Sequence, residues 1–225
     1  MTERTVSSDA GELEADELDK GELEAGFTLI ELMVVLLIIA ILLAIAIPTF
    51  LGVANSASDR SAQSNLTNAL TEAKALYQNN ASYDSAGVAM TPATFSASAP
   101  EFSWTTGACS GASSANCVSM QVVDGSTVND GQGIVLAVYS PKSQNCWYAV
   151  DLEATASTFT DTSPAVAFIT AGQVPTGATT AGVFYAKKSL ETTPITASTY
   201  CSASWAVTTN GFAWGASYSN AGAAA

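Results

Sequence analysis

The chain contains no histidine. That removes every His-based general base, every Ser-His or Cys-His nucleophile and every His metal site at once. Positive charge is scarce too: 7 Lys and Arg stand against 20 Asp and Glu, a net charge of −13. With no basic stripe to release counterions, a phosphate cradle has nothing to be built from, and no nucleic-acid partner is expected. Charged residues are only 12% of the 225 while 48% are hydrophobic, a balance that rules out wholesale disorder. Also missing are a Walker loop, G-x-G-x-x-G, H-E-x-x-H and G-x-S-x-G. The four cysteines include no C-x-x-C pair, so structural zinc lacks its ligand spacing. No catalytic residue, metal or cofactor is expected.

What is present is unevenly spread. Nine of the 20 acids fall in residues 1–26, against two bases, Arg4 and Lys20. The most apolar stretch of the protein follows, Phe27–Ile47, with Glu31 as its one charge. A helix of that length spans roughly 32 Å, close to the hydrocarbon thickness of a bilayer. Leu32–Ile47 is apolar on every side, so no soluble core can take one face of it. A cleaved secretory signal has a basic head and a shorter apolar run, and this segment has neither. The order of acidic head, lipophilic segment and mixed body describes a membrane-anchored protein. Glu31 is the odd feature, because a charge within a spanning helix is a functional hypothesis by default. The segment holds no Lys or Arg to pair with it. One reading is a carboxylate tolerated at the interface and helped by the helix N-terminal dipole; the other needs a buried cation, which would have to come from another chain or from a new amino terminus.

Gly26-Phe27-Thr28-Leu29-Ile30-Glu31, followed by Leu32-Met33-Val34-Val35, closely resembles the cleavage and methylation segment of type IV prepilins and pseudopilins. The resemblance covers about residues 26–60. The approach to the glycine, Glu22-Leu23-Glu24-Ala25, is acidic where many leaders of that family are basic. The resemblance implies cleavage between Gly26 and Phe27 by a membrane-embedded prepilin peptidase, then N-methylation of Phe27. It implies that Glu31 is needed for assembly and that Pro48 bends the helix. It also implies partners: further copies of the chain in a helical filament, the peptidase, and a pilus assembly platform in the membrane. Physically, the new α-amine of one subunit meets the Glu31 carboxylate of a neighbour, and both charges are neutralised in an apolar bundle. An unpaired charge there costs several kcal/mol, so the pair sets axial register more than it adds stability.

Pro48 removes one helix hydrogen bond, and a kink or loosened turn is expected near residues 44–48. Beyond it the helix pattern turns amphipathic: Leu66, Ala69, Leu70, Ala73, Leu76 and Tyr77 fall on one stripe, with Asp59, Arg60, Gln63, Glu72 and Lys74 mostly off it. Asn79-Asn80 end the pattern. That stripe needs cover from the rest of the chain. Val118–Asp124, Gly133–Ser140, Cys146–Leu152, Ala165–Thr170 and Gly182–Lys187 read as strands, with Ser204–Thr208 a weaker sixth. The expected fold class is α+β: a long N-terminal helix, half apolar and half amphipathic, packed on a C-terminal antiparallel sheet, type IV pilin-like by the resemblance. The expected organisation is an acidic leader 1–26, a transmembrane and filament-core helix 27–50, an amphipathic helix 51–80, and a disulfide-stapled β-rich domain 81–225.

Cys109, Cys117, Cys146 and Cys201 all lie in that domain. An even count on the outer side of a membrane favours disulfides, with three pairings open. The simplest closures, Cys109–Cys117 and Cys146–Cys201, are favoured. Asp124, Ser126 and Asp130 among glycines 125, 131 and 133 invite a calcium-loop reading, but their spacing does not fit an EF-hand and a solvated turn is the simpler one. Asp151 with Glu153 reads as strand surface polarity. Lys187-Lys188 before Ser189 reads as a basic strand end, not a Ser/Lys dyad. Trp104, Trp147, Trp205 and Trp214 read as sheet packing, with a sugar-binding patch as the rival.

The expected function is a structural subunit of a type IV pilus-like surface filament. The first alternative is a pseudopilin of a type II secretion or DNA-uptake system. The second, from another class, is an uncleaved single-pass surface enzyme or binding module. The globular domain is expected outside the cytoplasm, anchored in the plasma membrane before assembly and at the cell surface after it.

Overall fold

The computed structural model describes residues 27–85, 88–110, 116–123, 131–154, 181–190, 200–208, 214–220 and 222–223. The chain divides into two units, Met1–Pro48 and Thr49–Ala225. The described part of the first unit is the apolar stretch of helix α1 (Leu29–Asn80). Every large apolar side chain there is exposed: Ile39, the most covered of them, still shows 45% of its surface. The helix is long and apolar enough to cross a membrane. It continues through Pro48, whose ring nitrogen offers no N–H to the carbonyl four residues back.

The second unit is built around the later turns of α1. Ala62, Leu66, Ala69, Leu70 and Ala73 are buried at steps of three and four, and Leu76 and Tyr77 pack at the margin of the same core. The stripe predicted from spacing is the one that is covered. After α1 come the two-residue strands β1 (Asp84–Ser85) and β2 (Val88–Ala89), paired antiparallel. The short helix α2 (Pro92–Ser98) follows, with Pro92 in its first turn, where a missing N–H costs nothing. Next in the chain are β3 (Ser103–Thr105), β4 (Cys117–Val123), β5 (Gly133–Ser140), β6 (Asn145–Leu152), β7 (Gly182–Ser189), α3 (Ala203–Thr208), a 3-10 turn (Tyr218–Asn220) and β8 (Gly222–Ala223).

Among the described residues β3 to β8 form one sheet in sequence order. The four central strands, β4 to β7, pair antiparallel as expected. The short edge strands β3 and β8 instead pair parallel with their neighbours, so the sheet is mixed. The α+β class stands.

The pleat explains the layers. On β5, Ile134, Leu136 and Val138 face the core shared with α1; Val135 and Ala137 face the opposite core. That second core holds Cys146, Tyr148, Val150, Leu152 and Ala186 together with Cys201, Ala203, Ala206 and Trp214. The sheet is therefore covered on both faces, which is why β6 is buried at every position. The expected weak strand at Ser204–Thr208 is helix α3. Its start is capped by Ser202, whose Oγ accepts the Trp205 N–H at 3.1 Å. The expected strand at Ala165–Thr170 lies outside the described residues.

Two disulfides tie the unit. Cys109–Cys117 closes a loop of 8 residues beside β4, and Cys146–Cys201 spans 55, joining β6 to the start of α3. These are the closures favoured from the spacing.

Candidate functional site

The first turn of α1 is organised by Thr28 and Glu31. Thr28 Oγ1 accepts the Glu31 backbone N–H at 3.3 Å. In return, Glu31 Oε2 accepts the Thr28 backbone N–H at 2.9 Å and the Thr28 hydroxyl at 2.7 Å. Leu32 N–H bonds the Thr28 carbonyl at 3.2 Å. This is a capping box: two donors without partners within the helix are satisfied reciprocally, and a carboxylate sits at the positive end of the helix dipole. The signal was in the sequence, because Thr-x-x-Glu ahead of an apolar run is the capping-box pattern.

Through Oε2 Glu31 is engaged with Thr28; Oε1 takes no hydrogen bond among the described residues. From residue 27 to residue 59 the sequence has no Lys or Arg. Phe27, just ahead of the helix, is 89% exposed. The arrangement is an exposed apolar rod, headed by a carboxylate that retains one open oxygen. Gly26 lies outside the described residues, as does the Asp124–Asp130 segment weighed as a calcium loop. Among the described residues no group of three or more Cys, Asp or Glu could hold a metal.

The second unit holds polar contacts that amphipathic spacing alone did not place. Asp59 accepts hydrogen bonds from Trp147 Nε1 at 3.0 Å, from Asn145 Nδ2 at 3.0 Å and from the Ser143 hydroxyl. One turn of helix thus closes over the β5–β6 hairpin, and Ser58 joins it through Ser140 at 2.9 Å. Desolvation pushes the Asp59 carboxyl up, but donors from Ser143, Trp147, Ser140 and Asn145 outweigh it and hold it below the usual aspartate range.

Further along α1, Lys74 Nζ lies 2.9 Å from Asp151 Oδ1 and 3.6 Å from Glu153 Oε1. The Tyr83 hydroxyl donates to Asp151 Oδ2 at 2.7 Å. Asp151 is fully buried, which corrects its reading as strand surface polarity. The pleat points it, with Trp147 and Ala149, at α1, where Lys74 is its charge partner; Tyr83, just past the end of α1, supplies the hydrogen bond.

The tryptophans pack the sheet: Trp104, Trp147 and Trp214 are buried, and Trp205 is half-buried against Tyr148 and Tyr200. Lys187 and Lys188, on opposite faces of β7, lay their ammonium groups 5.6 Å from the Trp147 ring and 5.9 Å from the Trp205 ring.

Residues 23–47 match the family described as the prokaryotic N-terminal methylation motif. The match brackets the capping box and the exposed apolar rod, and it is the type IV prepilin-type signature. The chain thus carries a prepilin-type segment and an apolar helix long enough to cross a membrane, together with a disulfide-bonded globular unit. No curated protein and no solved structure matches the chain.

Proposed function

We propose that the protein is the structural subunit of a type IV pilus-like surface filament, without catalytic activity of its own. A prepilin peptidase removes residues 1–26 by cutting between Gly26 and Phe27, and Phe27 is then N-methylated. Residues 27–50 hold the subunit in the plasma membrane, with the globular domain outside. On assembly at the membrane platform the same residues become the filament core. There the Glu31 carboxylate of one subunit receives the α-amine of Phe27 from the next. Pro48 marks the place where the helix can bend between its filament-core part and the amphipathic part, 51–80. The β-rich domain, 81–225, forms the exterior.

One observation carries this reading. A rod whose large apolar side chains are all exposed begins with a carboxylate that has no cation within the segment. A lone membrane anchor needs the rod, but for it the carboxylate is worth only a helix cap, set against a raised cost of insertion. A bundle of identical helices with free amino termini needs both.

Mass spectrometry of the protein from its native membrane tests the processing. A chain starting at N-methyl-Phe27 is expected, and an intact leader or a cut beyond residue 50 would reject the reading. Shearing cells and probing the released filaments tests the role. The polypeptide is expected in that fraction; retention in the membrane alone would make it a pseudopilin instead.

A further inference from the structure

Lys74, Asp151 and Glu153 raise a question that simple charge pairing does not answer. One ammonium requires one carboxylate, and Asp151 supplies it at 2.9 Å. A second carboxylate in a half-buried site adds desolvation and repulsion without adding a counter-ion. Glu153 nonetheless sits 3.6 Å from the same Nζ. Burial, then the Asp151 charge and a hydrogen bond to Asp151, raise the Glu153 carboxyl above the usual range, so it holds a proton more readily than a free glutamate. Two carboxyls thus stand around one ammonium, with the Tyr83 hydroxyl on Asp151 Oδ2.

We propose that Lys74 and Asp151 become joined by an intramolecular amide bond between Nζ and Cγ, with Glu153 relaying the proton and Tyr83 polarising the carboxyl. This goes beyond the filament reading and does not depend on it. The backbone fixes both partners, Lys74 on α1 and Asp151 on β6, so nucleophile and electrophile are held in contact, where effective concentrations far exceed any bimolecular one. Asp151 is shut off from water, which protects the product from hydrolysis.

The step balances. A proton moves from Lys74 Nζ to Asp151 Oδ1, leaving a neutral amine and a neutral acid. The amine lone pair attacks Cγ, and the Tyr83 O–H stabilises the charge developing on Oδ2. Glu153 gives its proton to the Oδ1 hydroxyl, which leaves as water, and takes one from Nζ. The products are one secondary amide, one water and Glu153 again protonated. Desolvation lowers the Lys74 pKa, but Asp151 and Glu153 outweigh it and hold the ammonium above its usual range. Attack therefore waits on a minor protonation state, and the bond forms slowly after folding. The product is a covalent strut between helix and sheet, suited to a subunit under tension.

Intact-mass analysis of the full chain in detergent, aged and then reduced, tests this directly. The wild type is expected to weigh one water less than its processed sequence. Proteolysis should yield a branched peptide joining the segments around Lys74 and Asp151. An aged, folded wild type of full mass overturns the proposal. So does a water loss without the branched peptide, which would mark a cyclic imide. Lys74→Arg keeps the ion pair but cannot form the bond and should show full mass while still folded. Glu153→Gln should lose the cross-link; a fully cross-linked Glu153→Gln protein would overturn the relay role.

Discussion

The two stretches of α1 differ in where their partners are. From Leu29 to Val53 the helix shows its large apolar side chains to the surroundings. From Ala62 to Ala73 it buries alanines and leucines against the chain's own sheet. The second stretch is small-residue-rich and amphipathic because it serves one fixed neighbour. The first is large and apolar all round, which suits any azimuth: on the proposed reading it meets lipid before assembly and copies of itself afterwards. Polar chemistry follows the same division. Asp59 and Lys74 find donors and acceptors on the sheet, whereas Glu31, among the described residues, is bonded to Thr28 one turn back.

The sharpest way to break that contrast is Glu31→Ala. Membrane insertion and leader removal should persist while polymerisation is abolished or misregistered, read by shearing and electron microscopy of the surface fraction. Normal filaments would show that the first stretch needs no polar partner. On the other side, removing the Cys146–Cys201 bridge by double substitution to Ala should leave processing intact but cost the globular unit about 4 kcal/mol, from the chain entropy of closing a loop of 55 residues. A melting temperature lower by roughly 10 °C is expected, because each kcal/mol shifts a unit of this size by a few degrees. An unchanged melting curve would mean that the two cores hold α3 without the staple.

A matched pair of leucines sharpens the comparison. Leu66 is fully buried between α1 and the sheet, and Leu42 is 61% exposed. Leu66→Ala should destabilise the globular unit by about 3 kcal/mol, through lost burial and the cavity left behind. Leu42→Ala should leave its denaturation midpoint unchanged and act only on filament yield. Equal effects on the midpoint would refute the division.

Periodicity and composition reach some of this architecture and not the rest. The apolar rod, the stripe from Leu66 to Tyr77 and the central strands β4 to β7 follow from repeats of one, 3.6 and two residues, which local side-chain geometry enforces. The parallel edges β3 and β8 do not, because strands of two or three residues carry no readable period and their direction is set by where the chain returns. Helix α3 was hidden by its alternation of Ser, Trp, Ala and Val; what decides it is one hydroxyl, Ser202, capping the first turn. Within the candidate site, Glu31 stood out as the one charge in the apolar run, and its cap was readable from Thr-x-x-Glu. Asp59, Lys74 and Asp151 did not stand out, since a charge off the apolar stripe looks the same whether it meets water or a donor from a distant strand.

Asp59 offers the finest test, because its contribution varies with pH in a known direction. Its carboxyl is held below the usual aspartate range, so the stabilisation it supplies is complete above the ordinary value of 3.8 and is lost as pH falls through the folded-state value. Glu153 acts in the opposite sense: its carboxyl is raised, so its contribution is complete at low pH and is lost as pH rises through the raised value. The total stability curve mixes the two, and only a difference isolates Asp59. Asp59→Asn leaves the donors of Trp147, Asn145 and Ser143 facing an amide of reduced acceptor capacity, at a cost on the order of 2 kcal/mol near neutral pH. Urea denaturation of both proteins at pH 7 and again well below the ordinary aspartate value of 3.8 should show that gap narrowing in acid. A gap that stays constant would mean that the Asp59 charge adds nothing beyond the shape of its hydrogen bonds to the β5–β6 hairpin.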